Sequence, residues 1–396
     1  MSRLSMRQWG AGGGPSFGAR RALRLLPALG TMLALALSAA AQTPPDGSRR
    51  PTEVEPSITG AAIVHDNDNL PHPGNTLRDD NYSAAYEFRI NGRFVRDARL
   101  SAPLEGLDWL TGVGRLHARG TRRYHSLQFL GVVYTPDRIQ SPEVQPDDRP
   151  YASLVLLNVS RTSIGGAARD RLWSSELSVG MLGLDLPGDV QRLLHRTRRW
   201  MTGKSVPVDP LGWPNQISAG GEPTGLYRVG YQRRLWGDGA AGRRKHWEVV
   251  GALDGSVGYT VTAAGALSAR VGGFTSEFWE FPRGVASTAV GQQEPAPPGA
   301  PRWDLFAFAL VRPRVVAYNA VVQGQFMRSA HTVPARHLLG EWEGGVGASL
   351  PARGVQVQVV VQFAQGRTAD FVGPKARNYT WGTVGLFVSR RTRRVP

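Results

Sequence analysis

Val355-Gln356-Val357-Gln358-Val359-Val360-Val361-Gln362-Phe363 is the stretch that decides the fold. Positions 355, 357, 359, 361 and 363 are apolar, and glutamine fills three of the four places between them. That period of two belongs to an extended strand with one apolar and one mostly polar face. The pattern recurs in Tyr82-Ser83-Ala84-Ala85-Tyr86-Glu87-Phe88-Arg89-Ile90, in Trp173 to Met181 and in Tyr227 to Gln232. Strands are expected near 58–67, 82–92, 124–134, 151–164, 172–183, 225–236, 246–258, 260–272, 302–321, 337–350, 354–364 and 379–390. Twelve is an even number, as in a single-chain outer-membrane barrel. The expected class is therefore all-β: a transmembrane antiparallel β-barrel of about 12 strands, with a short helix in an extracellular loop. A secreted sandwich or β-helix is the rival. Small polar and glycine residues on one strand face favour the barrel, whose closure also pairs every backbone group in lipid. Pro313 is able to split the 302–321 segment. Trp173, Tyr227, Trp236, Trp247, Trp303 and Trp381 lie near strand ends, where aromatic girdles form.

The barrel reading agrees with the start of the chain. Arg3, Arg7, Arg20, Arg21 and Arg24 precede an apolar stretch from Leu25 to Leu37, and Ser38-Ala39-Ala40-Ala41 follows. This is the arrangement of a secretory signal over residues 1–41. Residues 42–57 read as a Pro- and charge-rich linker, 58–390 as the barrel and 391–396 as a basic tail. No apolar run after the leader reaches the length of a transmembrane helix. The 396 residues contain no cysteine, which excludes a disulfide framework, a thiolate metal site and a cysteine nucleophile. Export without cysteine fits the outer membrane of a Gram-negative bacterium. The formal charge is +16, and loss of the leader's five arginines leaves 42 basic residues against 31 acidic, or +11. Such a balance calls for an anionic partner. The charge is spread along the chain without a nucleic-acid module, so a lipid surface fits better than nucleic acid.

Three segments carry candidate chemistry. His65-Asp66-Asn67-Asp68-Asn69 closes the first strand with oxygen-bearing side chains suited to a hard cation such as Ca²⁺, or to a plain turn. Asp79-Asp80-Asn81-Tyr82-Ser83 enters the second strand; if Tyr82, Tyr86 and Phe88 face lipid, Ser83 faces the barrel interior. Pro187 to Trp200 reads as a helix with Asp189 at its N-cap and Val190, Leu193, Leu194 and Thr197 as its packing stripe. On it Gln191 and His195 lie four apart on one face, and Arg192, Arg196 and Arg199 form a basic stripe. A solvated loop helix is the bland alternative. The sequence contains no GxSxG elbow, HExxH or P-loop pattern.

Together these segments resemble the outer-membrane lipid A 3′-O-deacylase family of the LpxR type. The resemblance rests on Asn67-Asp68, Asp79 to Ala85, Tyr134-Thr135-Pro136, Asp148-Arg149-Pro150-Tyr151-Ala152-Ser153, Gln191 to His195, Gly212-Trp213-Pro214-Asn215-Gln216 and Glu222-Pro223. Asp-Arg-Pro-Tyr-Ala and Gly-Trp-x-x-Gln are its specific parts, and it spans about residues 58 to 390. Ser83 stands where the family pattern has Thr, Ala84-Ala85 where it has Asn-Gly, and Ser153 where it has Gly.

The resemblance implies a twelve-stranded barrel with its site between the wall and a loop helix, facing the outer leaflet. It also implies a Ca²⁺-dependent esterase that removes 3′-linked acyl chains from lipid A of lipopolysaccharide. His195 would be the general base, with Asn67, Ser83 and Gln191 beside it. Asp68 and Glu222 would ligate the metal. Arg192, Arg196 and Arg199 are expected to bind lipid A phosphate, and the protein is expected to be a monomer. Two rivals follow from the same residues: an acyl hydrolase acting on phospholipids with Ser83 as nucleophile, and a non-enzymatic anion-selective barrel.

Overall fold

Twelve antiparallel strands pair in chain order, and β1 (Gly60–Asn67) closes the ring against β12 (Tyr379–Arg390). Between them run β2 (Asn81–Asn91), β3 (Arg122–Thr135), β4 (Ala152–Gly165), β5 (Arg171–Leu182) and β6 (Glu222–Gly237). The circuit continues with β7 (Lys245–Gly258), β8 (Thr260–Phe274), β9 (Asp304–Asn319), β10 (Leu338–Ala352) and β11 (Val355–Arg367). This computed structural model describes residues 55–390 except 69, 71–80, 121, 167, 204–208, 241–242, 281–302, 327–330 and 353–354. The expected leader, most of the linker, Asp79, Asp80 and the basic tail lie outside the described residues. No helix among the described residues is long and apolar enough to cross a membrane; the strands do the spanning.

Alternation sets the two faces. Along β9, Phe306, Phe308, Leu310 and Arg312 point inward and are buried, while Leu305, Val311 and Val315 are exposed on the outer wall. On β11, Gln358 and Gln362 are inside, and Val359, Val361 and Phe363 are outside. An apolar outer belt is the signature of a barrel solvated by lipid, and the interior it encloses mixes polar residues with an apolar cluster that includes Phe306, Phe308 and Phe387. Pro313 does not split β9. It pairs across from Gly340 of β10, and the ladder to β8 is interrupted between Arg314 and Val311 instead. Proline lacks the N–H for that ladder, so the cost falls on one edge only.

The interior is crowded with paired charge. Arg312 binds Asp254 at 2.6 Å and Glu341 at 3.1 Å, and Arg314 (2.9 Å) and Arg367 (2.5 Å) converge on the same Glu341. Arg270 meets Glu248 at 2.6 Å, and Lys245 meets Glu277 at 2.8 Å. A cavity of about 110 Å³ remains between Arg228, Arg314, Arg367, Glu176 and Asp370. Phe274, Phe278 and Trp279 are fully buried at the end of the barrel to which β8 runs. Much of the chain's basicity is thus neutralised inside rather than displayed.

Two expectations change here. Trp381 is not part of a girdle: it points inward and packs on Tyr82, ring centroids 4.9 Å apart. Its position on β12 is odd-numbered, in phase with inward Thr383 and Phe387. Trp236, Trp247 and Trp303 are exposed near one end, as a girdle requires. The other change is helical: α1 (Phe94–Asp97), α2 (Ala102–Leu110) and α3 (Val113–His117) occupy the β2–β3 connection, which carried no helix expectation. They stand at the end where β2 finishes. The loop helix α4 (Leu186–Thr202) stands at the opposite end, and a short α5 (Ala320–Gln323) follows β9.

Candidate active site

Ser83 sits where simple alternation breaks. The pairing of β2 with β3 slips between Tyr82 and Ala84, so one extra residue is inserted there. Tyr82 turns inward, where its hydroxyl donates to Asp66 at 2.8 Å. Beyond the bulge Ala85, Glu87 and Arg89 are the buried inward residues, and Tyr86 and Phe88 lie outward. The bulge therefore places Ser83 on the outer wall, not in the interior. Its hydroxyl meets Thr135 Oγ1 at 2.6 Å. Thr135 is out of phase with Tyr134 and Val132, which line the internal cavity.

β1 brings the second wall element. Asn67 is in phase with His65, which stacks on outward Tyr86 at 4.3 Å. Asn67 Nδ2 donates to the Ser83 carbonyl at 3.0 Å, and the Asp68 N–H reaches the same oxygen at 3.4 Å. Asn67, Asp68 and Ser83 are thus brought together at the rim, with Thr135 as a fourth member that spacing did not single out. Asp66, from the same acidic run, is diverted inward to Thr383 and Tyr82.

Helix α4 covers the neighbouring wall, packing against β3 and β4. It begins earlier than the sequence suggests: Asp185 occupies the N-cap position, and Asp189 sits in the first turn, ion-paired with Arg192. The buried face is not the expected aliphatic stripe. Gln191 (7% exposed) and His195 (9%) face the protein, while Leu194 is 43% exposed and Trp200 and Met201 are exposed too. The exposed side mixes Leu194, Trp200 and Met201 with Arg196 and Thr197, an amphipathic composition that suits a helix at a membrane surface.

Trp213 seats this helix. Its indole N–H donates to Gln191 Oε1 at 3.0 Å, and its ring lies 4.9 Å from that of Tyr151. Trp213 and Tyr151 share an apolar cluster with Ala84 and Val133, the outward wall residues beside Ser83. The approach of α4 is close: a Cβ on Gly188 would lie 2.7 Å from the Trp213 ring. Tyr151 is fixed by its hydroxyl, which donates to the Ile139 carbonyl at 2.9 Å. Gln216 donates to Asp185 at 3.1 Å and lies 3.0 Å from the Ser153 hydroxyl. Ser153, a departure from the family pattern, also reaches the Leu184 carbonyl at 2.8 Å, so it ties β4 to the start of α4. The family-like motifs therefore build the seat of the helix, a role that short-range spacing does not reveal.

Glu222 stands apart. It opens β6, five strands round the barrel from Asp68. Its carboxylate accepts from the Ser218 hydroxyl at 2.6 Å and from the Phe326 N–H at 2.8 Å. Among the described residues no cluster of three His, Asp or Glu side chains suits a metal ion. Asp68, Asn67 and Ser83 offer oxygen donors of the kind a hard cation takes, one of them anionic. They fit Ca²⁺ by donor type, without Glu222.

The basic stripe is partly engaged. Arg199 binds Asp209 at 2.7 Å, and Arg196 lies 3.6 Å from the same carboxylate. Partial burial works to raise the Asp209 carboxyl, but the hydrogen bond and charge of Arg199, with Arg196 behind, hold it below the usual carboxylate range. A depressed folded-state pKa adds stability above the ordinary carboxylate range, lost as pH falls through it. The clamp on the C-terminal half of α4 is therefore expected to loosen on acidification. Protease cleavage within 204–208 would report it, and a rate unchanged between neutral pH and pH of about 3 would refute it.

These elements define an outer-membrane barrel with a polar cluster on the outer side of its wall and a loop helix packed on the neighbouring strands β3 and β4. The chain belongs to the family of outer membrane protein LpxR, whose model matches residues 28–390. Among solved structures it is similar to LpxR from Salmonella typhimurium, at 14% identity and a TM-score of 0.60, covering 84% of this chain and 100% of that one. The β domain of the Bordetella autotransporter BrkA matches at 8% identity and a TM-score of 0.37, covering 84% of this chain and 99% of that one, too distant to carry an argument. No curated protein sequence matches.

Proposed function

We propose that the protein is an outer-membrane esterase that hydrolyses the 3′-linked acyl chains of lipid A. The observation that carries this reading is the bulge that sets Ser83, beside Asn67 and Thr135, on the lipid side of the wall, with the Asp68 N–H bonded to the Ser83 carbonyl. A lipid ester reaches such a site from the plane of the membrane. A conducting pore would place its working groups in the lumen, where the arginines here are paired with carboxylates.

The chemistry follows from residue types. His195 takes a proton from a water as it attacks the ester carbonyl carbon, and returns it to the sugar oxygen as the C–O bond breaks. The products are a free fatty acid and a sugar hydroxyl. Gln191, whose side-chain oxygen accepts from Trp213, lies one turn from His195 and is assigned to holding the helix in register with the wall. Asn67 stiffens the rim through the Ser83 carbonyl. A Ca²⁺ ion held by Asp68 with Asn67 and Ser83 would supply positive charge to polarise the ester carbonyl.

Ser83 fits a positioning hydroxyl better than a nucleophile, because its hydrogen-bond partner is the Thr135 hydroxyl rather than an imidazole. Ser83→Ala is expected to keep roughly a tenth or more of the activity. A loss beyond that, with an acyl group trapped on the wild-type chain, would establish the covalent route instead. Arg196, the most exposed of the three arginines, is assigned to a lipid A phosphate. Arg196→Ala should raise KM about two- to fivefold with kcat unchanged, the size of an exposed ion pair. An equal change with dephosphorylated lipid A would remove that assignment.

Mass spectrometry of lipid A from cells expressing the protein tests the whole reading. Loss of the 3′-linked acyl mass, absent with His195→Ala, is the expected result. Intact lipid A together with release of fatty acid from phospholipid would move the assignment to a phospholipase. Intact lipid A together with conductance in planar bilayers would move it to a pore.

A further inference from the structure

In the helical β2–β3 connection, α2 buries Leu104 and the charged Asp108 against the wall and leaves a second, apolar face exposed. α2 and α3 lie against the outer wall over β4, β5 and β6, at the end of the barrel opposite α4. Asp108, fully buried, accepts from Ser175 at 2.8 Å and from the Tyr227 hydroxyl at 2.9 Å, and lies 3.6 Å from Arg161. His117, equally buried, meets Ser163 at 2.8 Å and Ser175 at 3.0 Å. The wall residues in this set point outward. Asn158, Glu176, Ser178 and Arg228 line the internal cavity, and Ser163, Arg161, Ser175 and Tyr227 fall in the opposite phase. The β4–β5 and β5–β6 pairings run without a slip, so the phase holds.

On the far side, α2 shows Ala102, Pro103, Gly106, Trp109 and Leu110, all exposed; Trp109 is 81% exposed and Leu110 72%. They recur at i, i+3, i+4 and i+7, one continuous apolar face. The same outer wall carries exposed Leu157 on β4 and Val179 on β5, members of the lipid-facing belt, so the face of α2 continues that belt. Arg96, Arg99, Arg115 and Arg119, all exposed, flank it.

We propose that α2 and α3 form an in-plane membrane anchor. The outward face of α2 lies in the acyl boundary of the leaflet at that end of the barrel, and the flanking arginines meet its anionic headgroups. The anchor also explains the wall beneath it. Arg161 and two serines facing outward are costly against lipid unless covered and paired, and Asp108 and His117 cover and pair them. A water-facing helix would be expected to expose polar residues where Trp109 and Leu110 stand.

The absence of cysteine makes the test direct. Gly106→Cys and Trp109→Cys, each carrying a nitroxide, are refolded into vesicles of phosphatidylethanolamine and phosphatidylglycerol. Arg243→Cys, on the exposed β6–β7 loop, is the aqueous reference. A Cβ at Gly106 meets open space, so that variant keeps the fold if Trp109→Cys does not. The expected result is relaxation dominated by oxygen at 106 and 109, and by a water-soluble nickel chelate at 243. Nickel-dominated relaxation at both helix positions would overturn the anchor in favour of a water-facing surface. Protection from both reagents, with spin–spin broadening that dilution by unlabelled chain removes, would overturn it in favour of a second copy. Lipid A deacylation by the same variants should equal that of the parent chain, which separates this test from that of the site.

Discussion

His195→Ala should lower the rate of acyl release from lipid A by about 10²- to 10⁴-fold, the worth of a general base. The loss should appear in kcat, since His195 is assigned to proton transfer and not to holding the phosphorylated sugar. The barrel should fold as before, because α4 lies outside the strand ladders that close it. Heat-modifiable gel mobility checks the fold, and acyl release from purified lipid A checks the rate. A variant that keeps most of its activity would end the assignment of His195 as base.

Trp213→Ala is the second large effect. The ring is almost wholly buried, and it touches Gly188, Gln191 and Tyr151 at once. Removing a buried Trp side chain costs about 3–5 kcal/mol. Here that cost falls on the docking of one surface helix rather than on the twelve-strand ladder. Activity should therefore collapse while the barrel remains folded, and proteases should cut the β5–β6 loop faster. Trp213→Phe keeps an aromatic ring against Gly188 and Tyr151 but loses the donor to Gln191, a loss of about 1 kcal/mol. It should retain intermediate activity. Equal behaviour of the two variants would show that packing alone matters, and wild-type protease resistance in Trp213→Ala would remove Trp213 as the seat of α4.

The barrel was legible because its signal is local and repeated. Lipid outside and polar groups inside impose a period of two on every strand, and all twelve expected segments overlap observed strands, with ends displaced by a few residues at most. The motif residues were legible too, as a set of spacings, and Asn67, Asp68 and Ser83 do meet at the rim. Their functions were harder to read. Tyr151, Trp213 and Gln216 stood in the sequence as parts of a resemblance, and only the folded chain shows them forming the seat of α4. Glu222 followed Gly212-Trp213 closely in sequence, yet the chain enters β6 there, and barrel geometry carries it away from Asp68.

The sequence by itself determined the strand count, the two-faced wall and the restriction to histidine, carboxylate and hydroxyl chemistry. Tertiary structure decided which side of the wall that chemistry occupies. Alternation alone would send Ser83 inward, but one extra residue on β2 opposite β3 reverses the phase, and a bulge is a property of a strand pair that neither strand encodes alone. The orientation of the helices was decided in the same way. α2 buries Asp108 beside Leu104, and α4 buries Gln191 and His195, while Trp109, Leu110, Trp200 and Met201 stay exposed. Those polar groups bury because their partners come from wall strands distant in sequence, which no local pattern encodes.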